Sequence, residues 1–181
     1  MKSELYKQYK DEVVPVLKEK FGYQNVMQVP RIEKVVLNVG YGRHTKDSAY
    51  IENVGNTLRV ITGQAPVHNK AKKSISNFKV REGSPVGVSV TLRGEKMYDF
   101  LQKLVSITFP RVRDFRGIDP NSFDKQGNYA VGFKENVAFP EISVGSLDKV
   151  HGLEVIIRTT AIKKEEGLEL LKGLGFPFKQ K

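Results

Sequence analysis

The stretch Pro85–Arg93, PVGVSVTLR, alternates more regularly than any other part of the sequence. Apolar side chains occupy every second position, at Val86, Val88, Val90 and Leu92. The positions between them are small, polar or charged: Gly87, Ser89, Thr91 and Arg93. A strand with this pattern packs only one of its faces, which is typical of antiparallel sheets. The sequence therefore predicts an antiparallel sheet with one buried and one solvated face.

The rest of the chain mixes helical and extended patterns without a steady alternation. Further strands are predicted over 31–39, 129–136 and 153–160, and helices over 3–21, 47–62, 94–109 and 164–174. Pro15 is expected to kink the first helix, and Pro110 is expected to end the third. A doubly wound fold would alternate strands and helices, so the fold class is α+β, with helices on one face of a mainly antiparallel sheet. A length of 181 residues fits a single domain.

The composition excludes several classes of protein. Without cysteine there is no disulfide framework, thiolate zinc site or cysteine nucleophile, which fits a reducing compartment. Neither a signal peptide nor a run of about 20 apolar residues is visible, so we expect a cytoplasmic protein without a membrane partner. The net charge is +10, and Gln64–Arg116 alone holds 11 Lys or Arg against 4 acids. This local excess predicts a polyanionic partner.

Residues 70–83, KAKKSISNFKVREG, are basic and show no clear periodicity. Cations and polar donors suit phosphate groups, and an aromatic ring can stack on a base. The candidate contact residues are Lys70, Lys72, Lys73, Ser74, Ser76, Asn77, Phe78, Lys79 and Arg81. A mobile, solvated loop is the competing interpretation, although long loops in compact domains are uncommon unless they are functional or disordered.

The stretch Arg111–Gly117, RVRDFRG, repeats the combination of cations and an aromatic ring. Arg111, Arg113 and Arg116 are therefore further candidates for contacts with RNA or with a bridging partner. In the alternative interpretation, Phe115 belongs to the core and Asp114 pairs with an arginine.

The solvated face of the predicted sheet is a third candidate surface. Its polar members would be Lys34, Asn38, Ser89, Thr91 and Arg93. Hydroxyl, amide and cationic groups on an open sheet suit the wide RNA minor groove and its 2′-hydroxyls. An ordinary solvated sheet face is the alternative.

Motifs for catalysis or cofactor binding are weak. GYGRHT, Gly40–Thr45, has Thr45 where a dinucleotide loop needs its third glycine, so we interpret it as a tight connection that uses glycine backbone freedom. His44, His68 and His151 lie far apart and are interpreted as surface residues. Aspartates 114, 119 and 124 are interpreted as capping or turn residues. We expect no cofactor, no metal and no enzyme activity.

Two other classes of function are kept as alternatives. An RNA-modifying or nucleotide-using enzyme would need a cofactor loop or an acid/base constellation. A peripheral membrane or heparin binder would show a long amphipathic helix with a cationic face, whereas the basic surplus here lies in loops and strand ends.

Six motifs together resemble the bacterial large-subunit ribosomal protein L-five (uL-five) family. They are VPRIEKVVLNVGYG, TGQAPVHNKAKKSISNFKVREGSPVGVSVTLRGEKMYDFL, FPRVRDFRG, SFDKQGNY, FPEI and LLKGLGFPF. The resemblance runs in order from about Val13 to Phe178. It implies an α+β fold with a curved antiparallel sheet, and a structural role in the large ribosomal subunit.

The resemblance also implies partners and contact residues. It implies that the protein attaches 5S rRNA in the central protuberance, where it also contacts large-subunit rRNA and other proteins of that region. The residues implied to recognise 5S rRNA are Asn38, Gln64 and Thr91. Residues 70–83 would contact peptidyl-site tRNA, and a bridge would reach small-subunit protein S-thirteen. The chain departs from the family pattern at 124–126, where one expected cation is displaced, and at 143–149, in the bridge region.

Overall fold

The structure, a computed structural model, describes residues 3–44, 47–142 and 150–179. The strands are β1 (Ile32–Gly40), β2 (Val67–Lys70), β3 (Pro85–Leu92), β4 (Tyr129–Phe133) and β5 (Leu153–Thr159). They form a five-stranded open antiparallel sheet in the order β2-β3-β1-β5-β4. The helices are α1 (Glu4–Gln8), α2 (Val14–Phe21), α3 (Ser48–Thr62), α4 (Gly94–Lys103), α5 (Phe109–Arg111) and α6 (Lys164–Gly173). The predicted α+β class is confirmed.

Two compact units make up the chain. The helical unit comprises Met1–Val35, Leu92–Val131 and Ile156–Lys181, and the arm unit comprises Val36–Thr91 and Gly132–Val155. The chain passes between them inside strands β1, β3, β4 and β5, so neither unit is one continuous segment. The single-domain organisation expected from the length stays a prediction.

Strands β1 and β3 have the alternation expected of them. Val88, Val90 and Leu92 are at most 1% exposed, and Val35, Leu37 and Val39 are also buried. Ser89 is half-buried and Thr91 is exposed on the other side of β3. One face of each strand is therefore dry and the other accessible, because side chains alternate along an extended backbone.

Helix α3 lies within one residue of its predicted limits, 47–62, and both of its ends are capped. The Asp47 carboxylate accepts a hydrogen bond from the Tyr50 N–H at 3.1 Å. Gly63 ends the helix with a positive φ of 63°, a conformation that costs glycine little. Val54, Leu58 and Ile61 are buried and form the apolar stripe of the helix.

Pro15 and Pro110 each follow a π-helical turn. Tyr9–Val13 is π-helical directly before α2, which contains Pro15, and Leu104–Thr108 is π-helical directly before α5, which contains Pro110. Proline cannot donate to the preceding turn and its ring crowds the carbonyl four residues back, so a wider turn accommodates it. The prediction that Pro110 ends its helix is wrong, because the helix continues to Arg111.

The connection after β1 also corrects a prediction. Gly42–His44 forms a 3₁₀ turn between β1 and α3, as a tight connection requires. Neither Gly40 nor Gly42 has a positive φ, however, so these positions do not use the backbone freedom of glycine. Strand β4 is also shorter than predicted, because Asn136–Ala138 forms a 3₁₀ turn in which Asn136 is buried.

The prediction that all three histidines are surface residues is wrong for one of them. His44 and His68 are exposed, but His151 in the arm unit is only 5% exposed. Its Nδ1 lies 3.2 Å from the Gly152 carbonyl oxygen, while its buried Nε2 has no hydrogen-bond partner within the described residues. Burial lowers the pKa of His151 and outweighs the opposing effect of the Gly152 carbonyl.

We expect His151 to make the protein acid-sensitive. Because its pKa is lower in the folded than in the unfolded chain, its contribution is complete above pH 6.5 and is lost as the pH falls through its folded pKa. Thermal unfolding followed by circular dichroism between about pH 5 and 7 measures this loss. His151→Gln should flatten the pH dependence, and His44→Gln, at an exposed position, should not. An unchanged pH dependence in His151→Gln would assign the acid sensitivity to other groups.

Candidate nucleic-acid interface

A polar face covers the accessible side of the sheet in the arm unit; we define it by Asn38, Asn69, Ser89 and Thr91. Strands β2 and β3 pair with Val67 opposite Ser89 and Asn69 opposite Gly87. Residues opposite one another, or two apart on one strand, share a face of the sheet. The Asn69 Nδ2 donates to the Ser89 Oγ at 3.1 Å across these strands. Asn69 was not identified from the sequence, because only the strand register places it beside Ser89.

Asn38 and Gln64 occupy different positions in the arm unit. Asn38 is half-buried on β1, between the buried Leu37 and Val39 in sequence and therefore on the opposite face of the strand. Gln64 is exposed in the turn after α3, where its backbone N–H donates to the Thr62 Oγ1 at 3.3 Å. The turn holds the backbone of Gln64 and leaves its side chain accessible.

The other two residues predicted for the sheet face belong to the helical unit. Lys34 is half-buried on β1, and Arg93 is exposed in extended backbone directly before α4. The predicted set of sheet-face residues is thus divided between the two units. The arm unit contributes the amides and hydroxyls, and the helical unit contributes the two cations.

Residues 71–84 form a hairpin, which we call the arm, and not an irregular loop. At its base the Ala71 N–H donates to the Ser84 carbonyl at 2.8 Å, and the Gly83 N–H donates to the Ala71 carbonyl at 3.0 Å. Further out, Ile75 and Val80 exchange backbone hydrogen bonds of 2.9 and 3.2 Å. These bonds account for the backbone order that the aperiodic sequence did not predict.

A 3₁₀ turn, Ser76–Phe78, forms the tip of the arm. Phe78 at this tip is 75% exposed. Ser74, expected to bind a partner, has its Oγ occupied as the acceptor of the Glu82 N–H at 2.9 Å. The arm cations Lys72, Lys73, Lys79 and Arg81, together with Lys70 at the end of β2, are exposed and form no salt bridges among the described residues.

Tyr41 contacts both strands that lead into the arm, β2 and β3. The register between β2 and β3 shifts between Asn69 and Lys70, so Val86 has no partner on β2, and its carbonyl accepts the Tyr41 N–H at 3.1 Å. The Tyr41 hydroxyl lies 3.1 Å from the His68 Nδ1. Burial raises the pKa of Tyr41, so the hydroxyl stays protonated near neutral pH and is able to donate this bond. A bulge of this kind bends the strand and redirects the chain beyond it.

The arginine turn, Arg111–Gly117, lies in the helical unit. Phe115 is half-buried and stacks on Phe109 at 5.4 Å, which agrees with the interpretation of Phe115 as a core residue. Asp114 has a positive φ of 53° and, in the part of the chain that the structure describes, pairs with no arginine. The exposed cations are Arg111, Arg113 and Arg116.

All three aspartates have the capping or turn roles predicted for them, since Asp114 also lies in a turn, with a positive φ. Asp119 accepts the Asn121 N–H at 2.8 Å, and Asp124 accepts the N–H groups of Gln126 and Asn128 at 2.9 and 2.8 Å. Burial alone would raise the pKa of Asp124, but its hydrogen bonds, above all that from the Asn128 side chain, lower it. Among residues 3–44, 47–142 and 150–179, no group of three or more His, Cys, Asp or Glu side chains is placed to hold a metal ion. None of the helices in these ranges is both long and apolar enough to span a bilayer.

The open sheet has a polar face, and the cations of the arm form no salt bridges among the described residues. This architecture is suited to binding a polyanion. The protein-family model for "Ribosomal protein L5" matches residues 25–81 of the sequence. A second family model, for the "ribosomal L5P family C-terminus", matches residues 85–178. The chain is 56% identical over 178 residues to large ribosomal subunit protein uL5 of Halothermothrix orenii, covering 98% of this chain and 99% of that one. It is 51% identical to large ribosomal subunit protein uL5 of Colwellia psychrerythraea, covering 99% of each chain.

The chain belongs to the L5 family of large-subunit ribosomal proteins. It is therefore a structural protein of the ribosome in the cytoplasm, associated with ribosomal RNA and translation, and its family is not enzymatic.

Proposed function

We propose that this protein binds 5S rRNA through the polar face and Gln64, and that it helps to attach 5S rRNA in the central protuberance. The observation that supports this most directly is the alignment of amide and hydroxyl groups on the accessible side of two strands whose other sides are buried. Asn38, Ser89 and Thr91 belong to this face, and amides and hydroxyls suit the 2′-hydroxyls and base edges of an RNA minor groove. Lys34 and Arg93 supply phosphate contacts from the helical unit.

The arm contacts peptidyl-site tRNA in this proposal. Its exposed cations form no salt bridges within the described residues, so they bind phosphates without first losing a protein partner. Ser76, Asn77 and Phe78 form the tip that reaches furthest along the hairpin. Ser74 acts indirectly, by holding the arm through Glu82.

Further contacts complete the proposal. The protein bridges to small-subunit protein S-thirteen and contacts large-subunit rRNA and neighbouring proteins of the central protuberance. The exposed cations of the arginine turn serve these contacts. The divergent segment 143–149, assigned to the bridge by resemblance, lies outside the described residues.

Purification of the tagged protein from cells, followed by sequencing of the bound RNA after nuclease trimming, tests the main proposal. We expect 5S rRNA fragments to be enriched over their share of total RNA. Recovery of 23S rRNA fragments without 5S rRNA would overturn the proposal.

Neutralising the arm separates its role from that of the polar face. The triple variant Lys72→Ala, Lys73→Ala, Arg81→Ala should bind isolated 5S rRNA within about twofold of wild type. It should retain peptidyl-site tRNA on assembled ribosomes about tenfold less tightly, because about three phosphate contacts and their counterion release are lost. Filter binding of labelled tRNA at several salt concentrations measures this effect.

A matched control removes three cations from the helical unit: Lys7→Ala, Lys18→Ala and Lys96→Ala, all at exposed positions. This control should leave tRNA retention near wild type although its net charge equals that of the arm variant. If the arm variant instead lost 5S rRNA binding and kept tRNA retention, the division of roles between arm and polar face would be wrong.

A further inference from the structure

An open cleft lies inside the arm unit, between the arm and the connection that follows β1. Besides apolar residues and the Asp47 carboxylate, which caps α3, its walls contain aromatic rings and cations: His44, Tyr50, Lys72, Lys73, Phe78 and Lys79. None of these residues belongs to the polar face, so the cleft is a separate feature of the same unit.

Aromatic rings stand on both sides of the cleft. On one side the rings of His44 and Tyr50 pack at 4.4 Å with an angle of 32°, which holds the exposed His44 ring against helix α3. On the other side the arm presents Phe78, which is 75% exposed. An exposed Phe ring lacks the favourable free energy that burial of its apolar surface would provide. Its exposure at the tip of an ordered hairpin therefore favours a role in binding.

A cation at the tip of the arm lines the cleft and has an unusual backbone conformation. Lys79, which lines the cleft, has a φ of 54°, one of two positive values among the described non-glycine residues. Residues with side chains rarely adopt this conformation, and strain of this kind concentrates at binding sites. Lys72 and Lys73 line the cleft from the other strand of the arm.

We propose that this cleft binds a single unpaired RNA nucleotide, its base stacked on the aromatic walls and its phosphates held by the lysines. Within a duplex both faces of each base are covered by neighbouring bases, so the rings discriminate in favour of an extruded or looped-out base. This inference rests on the proposed RNA-binding function and adds the kind of nucleotide that the arm unit selects.

Two labelled RNA hairpins test the cleft by fluorescence anisotropy with the full chain. They share one stem sequence, and one of them carries a single bulged adenosine. We expect the wild-type protein to bind the bulged hairpin about tenfold more tightly, within the range typical of one base stacked on a protein ring. Phe78→Leu, which keeps the apolar volume and removes the ring, should reduce this preference to about twofold or less.

Two further variants control for the ring and the fold. Phe78→Tyr keeps a ring and should retain the preference, whereas Phe21→Leu removes a ring from the helical unit and should not affect it. Equal binding of both hairpins by the wild-type protein, or an unchanged preference in Phe78→Leu, would overturn the inference. Binding of 5S rRNA measured in parallel tests the proposed function separately, since a protein that binds 5S rRNA without preferring the bulge refutes only the cleft.

Discussion

Replacing Asn38, Gln64 and Thr91 together with alanine is expected to weaken 5S rRNA binding by about 100-fold. Each side chain loses about one hydrogen bond to the RNA, worth about 1 kcal/mol, and three such losses approach 3 kcal/mol. None of the three neutralises a phosphate, so the dependence of affinity on salt should keep its slope. Titration of labelled 5S rRNA at several salt concentrations measures both quantities.

The fold should tolerate these substitutions, because Gln64 and Thr91 are exposed and Asn38 is half-buried. Asn56→Ala is the matched control, since it removes an exposed amide from α3 in the same unit. It should bind 5S rRNA as the wild type does. Wild-type affinity in the triple variant would show that 5S rRNA binds elsewhere on the protein.

Replacing Gly167 with alanine is expected to destabilise the helical unit by at least about 3 kcal/mol, the range of severe overpacking. A Cβ at Gly167 would lie 2.9 Å from the Gly127 Cα and would overlap its carbonyl oxygen. That oxygen already accepts the Thr159 hydroxyl at 3.0 Å. Because the obstacle is backbone, no side-chain rotation relieves it.

The backbone of Gly127 is closely surrounded, so it cannot move away from a new methyl group at Gly167. Its φ is +76°, and a Cβ there would lie 2.8 Å from both the Ala161 Cβ and the Lys163 carbonyl oxygen. Gly167→Ala should therefore lower the melting temperature by about 6 °C or more, as measured by calorimetry.

Gly132→Ala is the matched control in strand β4. No atom lies within 4 Å of a Cβ at this position, and its φ is not positive. The change should alter stability by no more than about 0.5 kcal/mol. A Gly167→Ala protein that melts with the wild type would mean that the Gly127–Gly167 contact is not tight in solution.

Much of the candidate interface could be predicted from local pattern. The alternation of Pro85–Arg93 predicted which side of β3 is accessible, and the structure places Ser89 and Thr91 there. Asn69 could not be predicted in the same way, because its bond to Ser89 depends on the register of two strands. Lys34 and Arg93 belong to the helical unit, whereas the other predicted sheet-face residues belong to the arm unit. This assignment also depends on contacts between segments far apart in the sequence.

Residues 70–83 show the same limit of prediction from local sequence pattern. Its charge and its aromatic residue were visible in the sequence, but its hairpin hydrogen bonds were not, because they join residues whose side chains show no alternation. The burial of His151 was likewise missed, since a single histidine gives no periodic signal of its surroundings.

The sequence alone determined the fold class, the dry faces of its strands, most helix limits and the placement of the positive charge. These features are local, because the spacing of apolar residues specifies a helix or a strand and its buried side. Only the tertiary structure decided the hairpin form of the arm, the cleft beside it and the contact of Gly127 with Gly167. Each of these joins residues distant in sequence, and such contacts depend on strand register and close packing, which periodicity does not encode.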